Sequence, residues 1–382
     1  MNANRTVAQG TNMNILPVIS NFKDQMEVIY KDFHQHPEIG FEEVRTSQIV
    51  AQYLQDFGVD EVHTEIGVTG VVGVIRGKHA GNRRVGLRAD MDALPIHEET
   101  DLPYKSQTDG KMHACGHDAH TTMLLGAAKH LAETRNFQGE VIVIFQPAEE
   151  GLGGAKAMIE DGLFDRFPCD EVYGMHNSPS GKPGTFEICR GAAMAGAAFF
   201  DIHVTGKGAH AAMPQNSKDA IQITNSLITD LNAIVSRNVP PLDTCVLSIT
   251  QVHAGSAYNV IPQTAHLCGT IRYFKDDIFD LVCDRMQAIC KGVGTAYDAE
   301  VTLDIRHAFT VLENDHDLSS AYLDAAADIV GTDHVSDKIQ PATGSEDFAD
   351  MLKSIPGAYC RVGHVGTVGL HNPSFNLGLE VL

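Results

Sequence analysis

Residues 141–151 read Val-Ile-Val-Ile-Phe-Gln-Pro-Ala-Glu-Glu-Gly, an apolar run that stops at a bend carrying two carboxylates. A short run of this kind, bounded by turn residues, predicts a strand buried on both faces of a sheet. Similar apolar runs occur at 71–75, 85–89 and 171–175. Stretches with helical spacing lie between or after them, at 121–131 and 155–159. Alternating strands and helices predict an α/β sheet with much parallel pairing, flanked by helices.

Two amphipathic helices are predicted before this sheet, because apolar residues recur there every three or four positions. The first helix carries Leu16, Ile19, Phe22, Met26, Ile29 and Phe33. The second carries Val44, Ile49, Tyr53, Leu54 and Phe57, and Gly58 follows it as a C-terminal cap.

The middle of the chain has a different order of elements. Strands are predicted at 199–204, 245–252, 265–271 and 300–305, with helices at 219–237 and 277–295. That βαββαβ order is the ferredoxin-like motif. The last segment has one helix near 318–329 and one strand near 359–362, too little to fold alone. We therefore expect residues 1–187 and 309–382 to form one domain, into which a satellite domain of residues 188–308 is inserted.

The length and net charge of the chain disfavour several classes of protein. A chain of 382 residues favours about two domains, and a net charge of -21 disfavours nucleic acid and anionic membranes as partners. No apolar run approaches the roughly 20 residues of a membrane span, and residues 1–14 contain no stretch typical of a signal peptide. These features predict a cytoplasmic protein. The eight cysteines are scattered without a CxxC pair, and most are expected to be reduced.

Polar side chains follow the ends of several predicted strands. Asp90 and Asp92, the pair Glu149 and Glu150, and His176 all occupy such positions. In open α/β sheets the carboxyl edge of the strands is where ligand sites form. These residues, far apart in sequence, are therefore expected to share one rim of the sheet.

A second polar stretch, His113-Ala-Cys115-Gly-His117-Asp118-Ala-His120, precedes a predicted helix. A thiolate with imidazoles suits zinc and similar transition metals. The alternative is a helix cap with Asp118 as N-cap and histidines on the surface. Two ligands cannot close a metal shell, so this stretch alone leaves both interpretations open.

The adjacent carboxylates Glu149 and Glu150 strengthen the metal interpretation, although a solvated loop pair is the ordinary alternative. On a tight turn the two can diverge, one binding a cation and the other acting as general base. His176 and His371 follow apolar runs in predicted loops, and either alone could be structural. Five candidate ligands exceed one tetrahedral site and fit two metals bridged by the thiolate or by water. These ligands are Cys115, His117, Glu150, His176 and His371.

Six stretches in order along the chain carry a family resemblance. They are His34-x-His36-Pro37-Glu38, residues 88–95 (Arg-Ala-Asp-Met-Asp-Ala-Leu-Pro), residues 115–120, residues 146–151, Gly206-Lys-Gly-Ala-His210 and Leu370-His371-Asn372. In these the chain resembles the hippurate-hydrolase branch of the metal-dependent aminoacylase and carboxypeptidase superfamily, which also holds auxin-conjugate hydrolases. The resemblance spans nearly the whole chain.

The resemblance implies a two-metal catalytic domain in which the five candidate ligands bind two divalent cations, with Cys115 bridging. It implies that Glu149 is the general base, and it leaves zinc, manganese, cobalt and nickel open as metals. The wider superfamily has a His-x-Asp ligand motif where this chain has Asp90-Met91-Asp92. That departure suggests that the two aspartates support ligands without binding metal.

The resemblance also implies that the satellite domain forms a homodimer or homotetramer and closes over the site. His210 matches a histidine that holds the oxyanion, commonly in the partner subunit's site. Asn259 and Arg272 match positions that bind polar groups of the substrate, although a turn residue and a surface charge are the plain alternatives. Family members continue into a helix after the His-Asn-Pro loop, where only residues 373–382 follow in this chain.

The implied reaction is hydrolysis of N-acyl amino acids, with Glu149 acting on a water that bridges the metals. One alternative is a dipeptidase or carboxypeptidase with the same dinuclear site. Another is a hydrolase with Cys115 as nucleophile, which would survive chelation and be lost on thiol alkylation. A metal-dependent binding protein is the third, and retention of Glu149 disfavours it.

Overall fold

The computed structural model describes residues 17–364, 366 and 368–378. Leu16, which belongs to the first predicted helix, and residues 1–14 fall outside the described residues. The chain divides into two compact units. The first unit contains the residues up to Ala193, Glu313–Gln340 and those from Asp347 on, and the second contains Met194–Leu312 and Pro341–Glu346. The domain limits at 188 and 309 stay predictions.

The helices are α1 (Pro17–Ser20), α2 (Lys23–Gln35), α3 (Val44–Asp56), α4 (His117–Thr134), α5 (Gly154–Glu160), α6 (Leu163–Arg166), α7 (Ala220–Arg237), α8 (Asp276–Tyr297), α9 (His316–Val330) and α10 (Phe348–Ser354). The longer strands are β1 (Glu61–Ile66), β2 (Gly70–Arg76), β3 (His79–Asp90), β4 (Gln138–Gln146), β5 (Glu171–Ser178), β8 (Gly196–Thr205), β10 (Cys245–Ala254), β12 (Thr264–Tyr273), β13 (Glu300–Phe309) and β16 (Gly357–Gly363). The short ones are β6 (Phe186–Glu187), β7 (Gly191–Met194), β9 (Ala209–His210), β11 (Val260–Ile261), β14 (Leu312–Asn314) and β15 (Val335–Ser336).

The first unit is built on a mixed sheet with the strand order β1-β2-β4-β3-β5-β16-β6-β15. Parallel pairing joins β4 to β3, β3 to β5 and β5 to β16. Antiparallel pairing joins β1 to β2 and β2 to β4, so the parallel part is the centre of the sheet. The predicted α/β sheet flanked by helices is confirmed, and β1 was missed because its polar residues form no apolar run.

The main core of this unit lies between the sheet and helices α2, α3 and α4. Phe33, Leu54, Leu125 and Phe145 are at most 1% exposed there. Fully burying such a side chain contributes about 1.5–3 kcal/mol. The first predicted helix is divided, which corrects the continuous helix expected from spacing, because the Phe22 amide donates to the Ile19 carbonyl and interrupts the α-helical ladder.

The second unit has four antiparallel strands in the order β10-β12-β8-β13. Helices α7 and α8 pack on one face, against the alternate buried residues Ile202, Val204, Leu267 and Ile271. The Asp219 carboxylate caps α7 by accepting from the Ile221 amide at 2.9 Å. The predicted ferredoxin-like order is therefore confirmed.

None of the helices in the described part of the chain is both long and apolar enough to cross a bilayer. All eight cysteines lie within the described residues and are free thiols, where the sequence predicted this for most of them.

Candidate metal centre and active site

The five predicted ligands and the predicted base lie together in the first unit. Donor atoms of Cys115, His117 and His176 lie within 4.8 Å of one another. Cys115 also groups at that distance with Glu150 and His371, and His117 groups with Glu149 and Glu150. The groups share Cys115 and His117, so the rim cluster, as we call these six residues, is continuous.

The rim cluster is assembled from segments that end at one edge of the sheet. Glu149 and Glu150 follow β4, Cys115 and His117 flank the start of α4, and His371 lies in a loop after β16. Cys115 Sγ lies 3.3 Å from His176 Nε2, and His371 Nε2 lies 3.1 Å from Glu150 Oε1. The His371 amide donates to the Ala114 carbonyl at 2.8 Å, which anchors that loop beside the thiol.

Gly116 allows Cys115 and His117 to face the same centre. Its φ is +96°, a left-handed conformation that costs glycine little. A Cβ at this position would lie 2.5 Å from the Asn177 side-chain oxygen. The CxH spacing therefore requires glycine for two separate reasons.

Two corrections concern this part of the chain. Asp118 is not the N-cap of the following helix, because Gly116 holds that position and Asp118 lies in the first turn of α4. Its buried carboxylate is 2.7 Å from His34 Nδ1, and the nearby histidines are buried rather than on the surface. His176 is not in a loop, because β5 continues through it to Ser178.

Asp90 and Asp92 support the rim cluster through their contacts. Asp92 Oδ1 lies 3.1 Å from His117 Nδ1, and Asp92 Oδ2 accepts from the Glu150 amide at 2.9 Å. Asp90 lies 2.6 Å from His120 Nδ1 and accepts from Arg88 at 2.7 Å. A carboxylate on the far nitrogen of a histidine fixes its orientation and leaves Nε2 available to a metal.

Two buried atoms of the rim cluster that could bind a metal have no hydrogen-bond partner among the described residues. They are His117 Nε2 and Glu150 Oε1. Asp90 Oδ2 lies 3.8 Å from His117 Nε2, and His371 Nε2 lies 3.1 Å from Glu150 Oε1 but outside hydrogen-bond geometry. Leaving such an atom unsatisfied costs about 1–3 kcal/mol. A thiol, three imidazoles and a carboxylate are ligands that zinc and similar metals accept, so the residues present fit a metal centre.

The electrostatics of the cluster vary from residue to residue. Burial opposes the charged form of His117, but Asp90 and Cys115 outweigh it and raise the His117 pKa well above its ordinary value. Burial and His120 lower the pKa of His176 far enough to keep this imidazole neutral, the form that binds metals. Burial raises the pKa of the Cys115 thiol, and a bound cation would reverse that shift by deprotonating it.

A buried charged network behind the rim was not anticipated. The Arg88 guanidinium donates to Asp90 at 2.7 Å and to Gln146 Oε1 at 2.8 Å. Gln146 Nε2 in turn donates to Asp347 Oδ1 at 2.6 Å. An arginine inside an apolar strand is a signal of buried carboxylate partners, but no sequence pattern links Arg88 to Asp347.

Glu43 is a second residue that sequence reasoning missed. It is fully buried, and burial raises its pKa to about 7. Its carboxyl accepts from the Ala148 amide at 2.8 Å and from the Thr69 hydroxyl at 2.6 Å. Ala148 has a φ of +52°, so Glu43 holds the strained residue that precedes Glu149.

The predicted substrate-binding residues lie in the second unit. His210 on β9 is opposite Val260 on β11, and the Ala211 amide donates to the Asn259 carbonyl at 3.0 Å. His210 and Asn259 therefore lie beside one short antiparallel strand pair. Asn259 is an exposed turn residue. Arg272 lies near the end of β12, where it donates to the Ile271 carbonyl at 3.0 Å and lies over the Phe199 ring.

The mixed sheet with this rim defines a metal-dependent amidohydrolase, and comparison with known proteins supports that class. The chain belongs to peptidase family M20/M25/M40, whose model matches residues 86–382. Hippurate hydrolase from Campylobacter jejuni subsp. jejuni is 42% identical over 363 residues, covering 95% of this chain and 94% of that protein. N-acetylcysteine deacetylase from Bacillus subtilis is 38% identical, covering 92% and 91%. The crystal structure of the Bacillus subtilis YXEP protein, a dinuclear metal binding peptidase from the M20 family, is similar with a TM-score of 0.82 and 33% identity, covering 95% and 94%.

Proposed function

We propose that the protein hydrolyses the amide bond of N-acyl amino acids, giving a carboxylic acid and a free amino acid. The observation that carries this proposal is the gathering of five candidate metal ligands and one further carboxylate, Glu149, at one rim. The relatives' names support the substrate class, because hippurate and N-acetylcysteine are both N-acyl amino acids.

The residues that would hold two cations fall into two groups with Cys115 in common. One group adds His117 and His176, and the other adds Glu150 and His371. A thiolate shared by both groups is suited to bridge two metals. When bound, two divalent cations would acidify a water and polarise the substrate carbonyl. The donor set accepts zinc, manganese, cobalt or nickel.

Glu149 is assigned the proton transfers. Its side chain is buried beside His117 and Glu150, on a turn that Glu43 holds. The carboxylate accepts a proton from the attacking water as the new carbon–oxygen bond forms. It then gives that proton to the nitrogen as the carbon–nitrogen bond breaks, because an amide does not readily expel an unprotonated amine.

The second unit is assigned to substrate binding. His210 donates to the developing oxyanion, a role that buried or positioned donors fill in acyl transfer. Arg272 pairs with the α-carboxylate of the substrate, which suits its planar fork. Asn259 binds a further polar group of the substrate. The second unit also forms the contact between subunits of a homodimer or homotetramer. Oligomeric state is measured by light scattering on the purified protein.

One experiment tests the reaction and separates the alternatives. Metal content is measured on purified protein, and turnover of hippurate, N-acetylcysteine and a dipeptide is measured before and after chelation. We expect N-acyl amino acids to be cut faster than the dipeptide, with activity lost on chelation and restored by metal. Faster dipeptide cleavage would instead indicate a dipeptidase, and metal binding without turnover a binding protein.

A cysteine-nucleophile mechanism is separated by two further measurements. Alkylation of the metal-loaded enzyme should be slow, because coordination protects the thiol. Cys115→Ala should lower metal content as well as activity. Unchanged metal stoichiometry in that variant would contradict a ligating thiolate.

A further inference from the structure

Three histidines stand in one row across neighbouring strands of the second unit. His253 on β10 is opposite His266 on β12, and His266 is opposite His203 on β8. The rings of His203 and His266 stack with centroids 4.4 Å apart and an interplanar angle of 3°. Directly opposite residues project from the same face of a sheet, so the register itself brings these imidazoles together.

The next row on the same face adds a thiol and a carboxylate. Cys268 on β12 is opposite Asp201 on β8, two residues along each strand from His266 and His203. The Cys268 thiol donates to Asp201 Oδ1 at 3.1 Å. His266 Nε2 lies 2.6 Å from the same oxygen and 3.2 Å from Cys268 Sγ. Three different metal-ligand types therefore form a small triangle.

These side chains are on the face of the sheet opposite α7 and α8. The intervening residues Ile202 and Leu267 are fully buried under those helices. On the other face the side chain of Asp201 is 18% exposed and that of His266 is 33% exposed. An ion from solvent can reach the polar row without displacing the apolar core.

We propose that Asp201, His203, His266 and Cys268, the sheet-face cluster, bind one divalent transition metal such as zinc or nickel. Ligand atoms of Asp201, His203 and His266 lie within 4.8 Å of one another. Donors that share one zinc ion are roughly 3 to 4 Å apart, because each is about 2.0–2.3 Å from the metal. The cluster needs only side-chain adjustments to reach that arrangement. His253 lies at its edge as a fifth donor.

The charges around the cluster favour a divalent cation. Arg306 donates to Asp201 Oδ2 at 2.6 Å and to Asp304 at 2.8 Å, so a metal would bind at Asp201 Oδ1 in place of the hydrogen bonds with Cys268 and His266. Two carboxylates and one guanidinium sum to one negative charge, and a Cys268 thiolate would make two. A divalent cation neutralises that total.

The test compares the whole chain with a variant that loses two imidazoles. Wild type and His203→Ala/His266→Ala are titrated with Zn²⁺ and with Ni²⁺, and bound metal is counted by mass spectrometry after dialysis. We expect wild type to bind one more equivalent than the variant. Cys268→Ser should weaken the same site at least tenfold and remove part of the thiolate-to-metal absorption of the Co²⁺-loaded protein. Equal stoichiometry in wild type and the double variant would overturn the proposal.

Two controls keep the result interpretable. His97→Ala removes an exposed histidine paired with Asp109 at 2.7 Å and should leave the metal count unchanged. Circular dichroism checks the fold of the double variant, and the single His203→Gln and His266→Gln variants replace it if it unfolds. Each single variant should lose at least tenfold in affinity, and unchanged affinity in both would equally overturn the site.

Discussion

The rim cluster of the first unit and the sheet-face cluster of the second contain the same kinds of side chain. Each combines a thiol, imidazoles and a carboxylate within a few ångströms. They differ in origin, because the rim draws on separate segments along the chain and the sheet-face cluster on two neighbouring strands. They also differ in exposure, since His117 is fully buried and His203 is exposed.

The two clusters also differ in whether their metal-binding atoms already have hydrogen-bond partners. Within the part of the chain that the structure describes, His117 Nε2 and Glu150 Oε1 have no hydrogen-bond partner, and a bound cation would relieve the free-energy cost of leaving them unpaired. The sheet-face donors instead satisfy one another, as the contacts of Cys268 and His266 with Asp201 show. A metal there must replace existing hydrogen bonds. We therefore expect tight binding at the rim and weaker binding on the sheet face.

Replacing the base gives the largest expected effect and separates chemistry from metal binding within the rim. Glu149→Gln keeps the shape but cannot accept the water proton, so kcat should fall by about 10²–10⁴-fold. Metal content should stay at the wild-type value. The matched control is Glu150→Gln, which should lose metal as well. Turnover that persists in Glu149→Gln would mean that the base is misassigned.

His210→Ala tests whether the second unit contributes to catalysis as well as binding. Loss of one oxyanion donor should lower kcat by about 10²–10³-fold, with a smaller rise in KM. His253→Ala, which removes another histidine of the same unit, is the control. An effect confined to KM would assign His210 to ground-state binding.

Asp92→Asn tests whether the orientation of a ligand in the rim cluster contributes to metal affinity. The amide cannot fix the His117 imidazole as a carboxylate does, so metal affinity should fall by about 10–100-fold. Metal titration of the variant measures this change. Asp109→Asn, at the exposed pair with His97, should leave affinity unaltered. An equal loss in both variants would attribute the effect to net charge.

The pH dependence of stability tests the buried support of α4. Burial opposes the charge of His34, but hydrogen bonds to Asp118 and Glu98 raise its pKa to about 9. Because the unfolded pKa is near 6.5, this stabilisation is complete below about pH 6.5 and is lost as pH rises through about 9. His34→Gln should cost up to about 3 kcal/mol at pH 6 and much less above pH 9. Denaturant unfolding across this range measures it, and a pH-independent loss would contradict the ion pair.

The smallest effect is expected from the sheet-face cluster. His203→Ala/His266→Ala should change amidohydrolase turnover by less than about twofold, because surface substitutions away from a site are usually near neutral. Steady-state assays on the variant, loaded with rim metal, measure this. A large fall in kcat would mean that the two clusters are not functionally separate.

The spacing of apolar residues alone predicted the parallel strands at the centre of the first unit's sheet. It also predicted the ferredoxin-like order of the second unit. Both have apolar periodicity that each segment carries by itself. The same spacing did not predict the polar edge strand β1, the division between α1 and α2, or the position of His176 within a strand. Those features depend on pairing partners, which no local pattern contains.

Sequence motifs alone indicated the family, and they predicted five metal ligands and a separate role for Glu149, because motifs such as Cys115-Gly116-His117 keep reactive groups at fixed short spacing. Three features follow from the fold and from no local motif: which buried atoms lack a partner among the described residues, the contact of Glu43 with Ala148, and that of Arg88 with Asp347. The fold also decided that His203, His266 and Cys268 share one sheet face. Strand register and burial are set by contacts between distant segments, and those contacts determine charge, orientation and access.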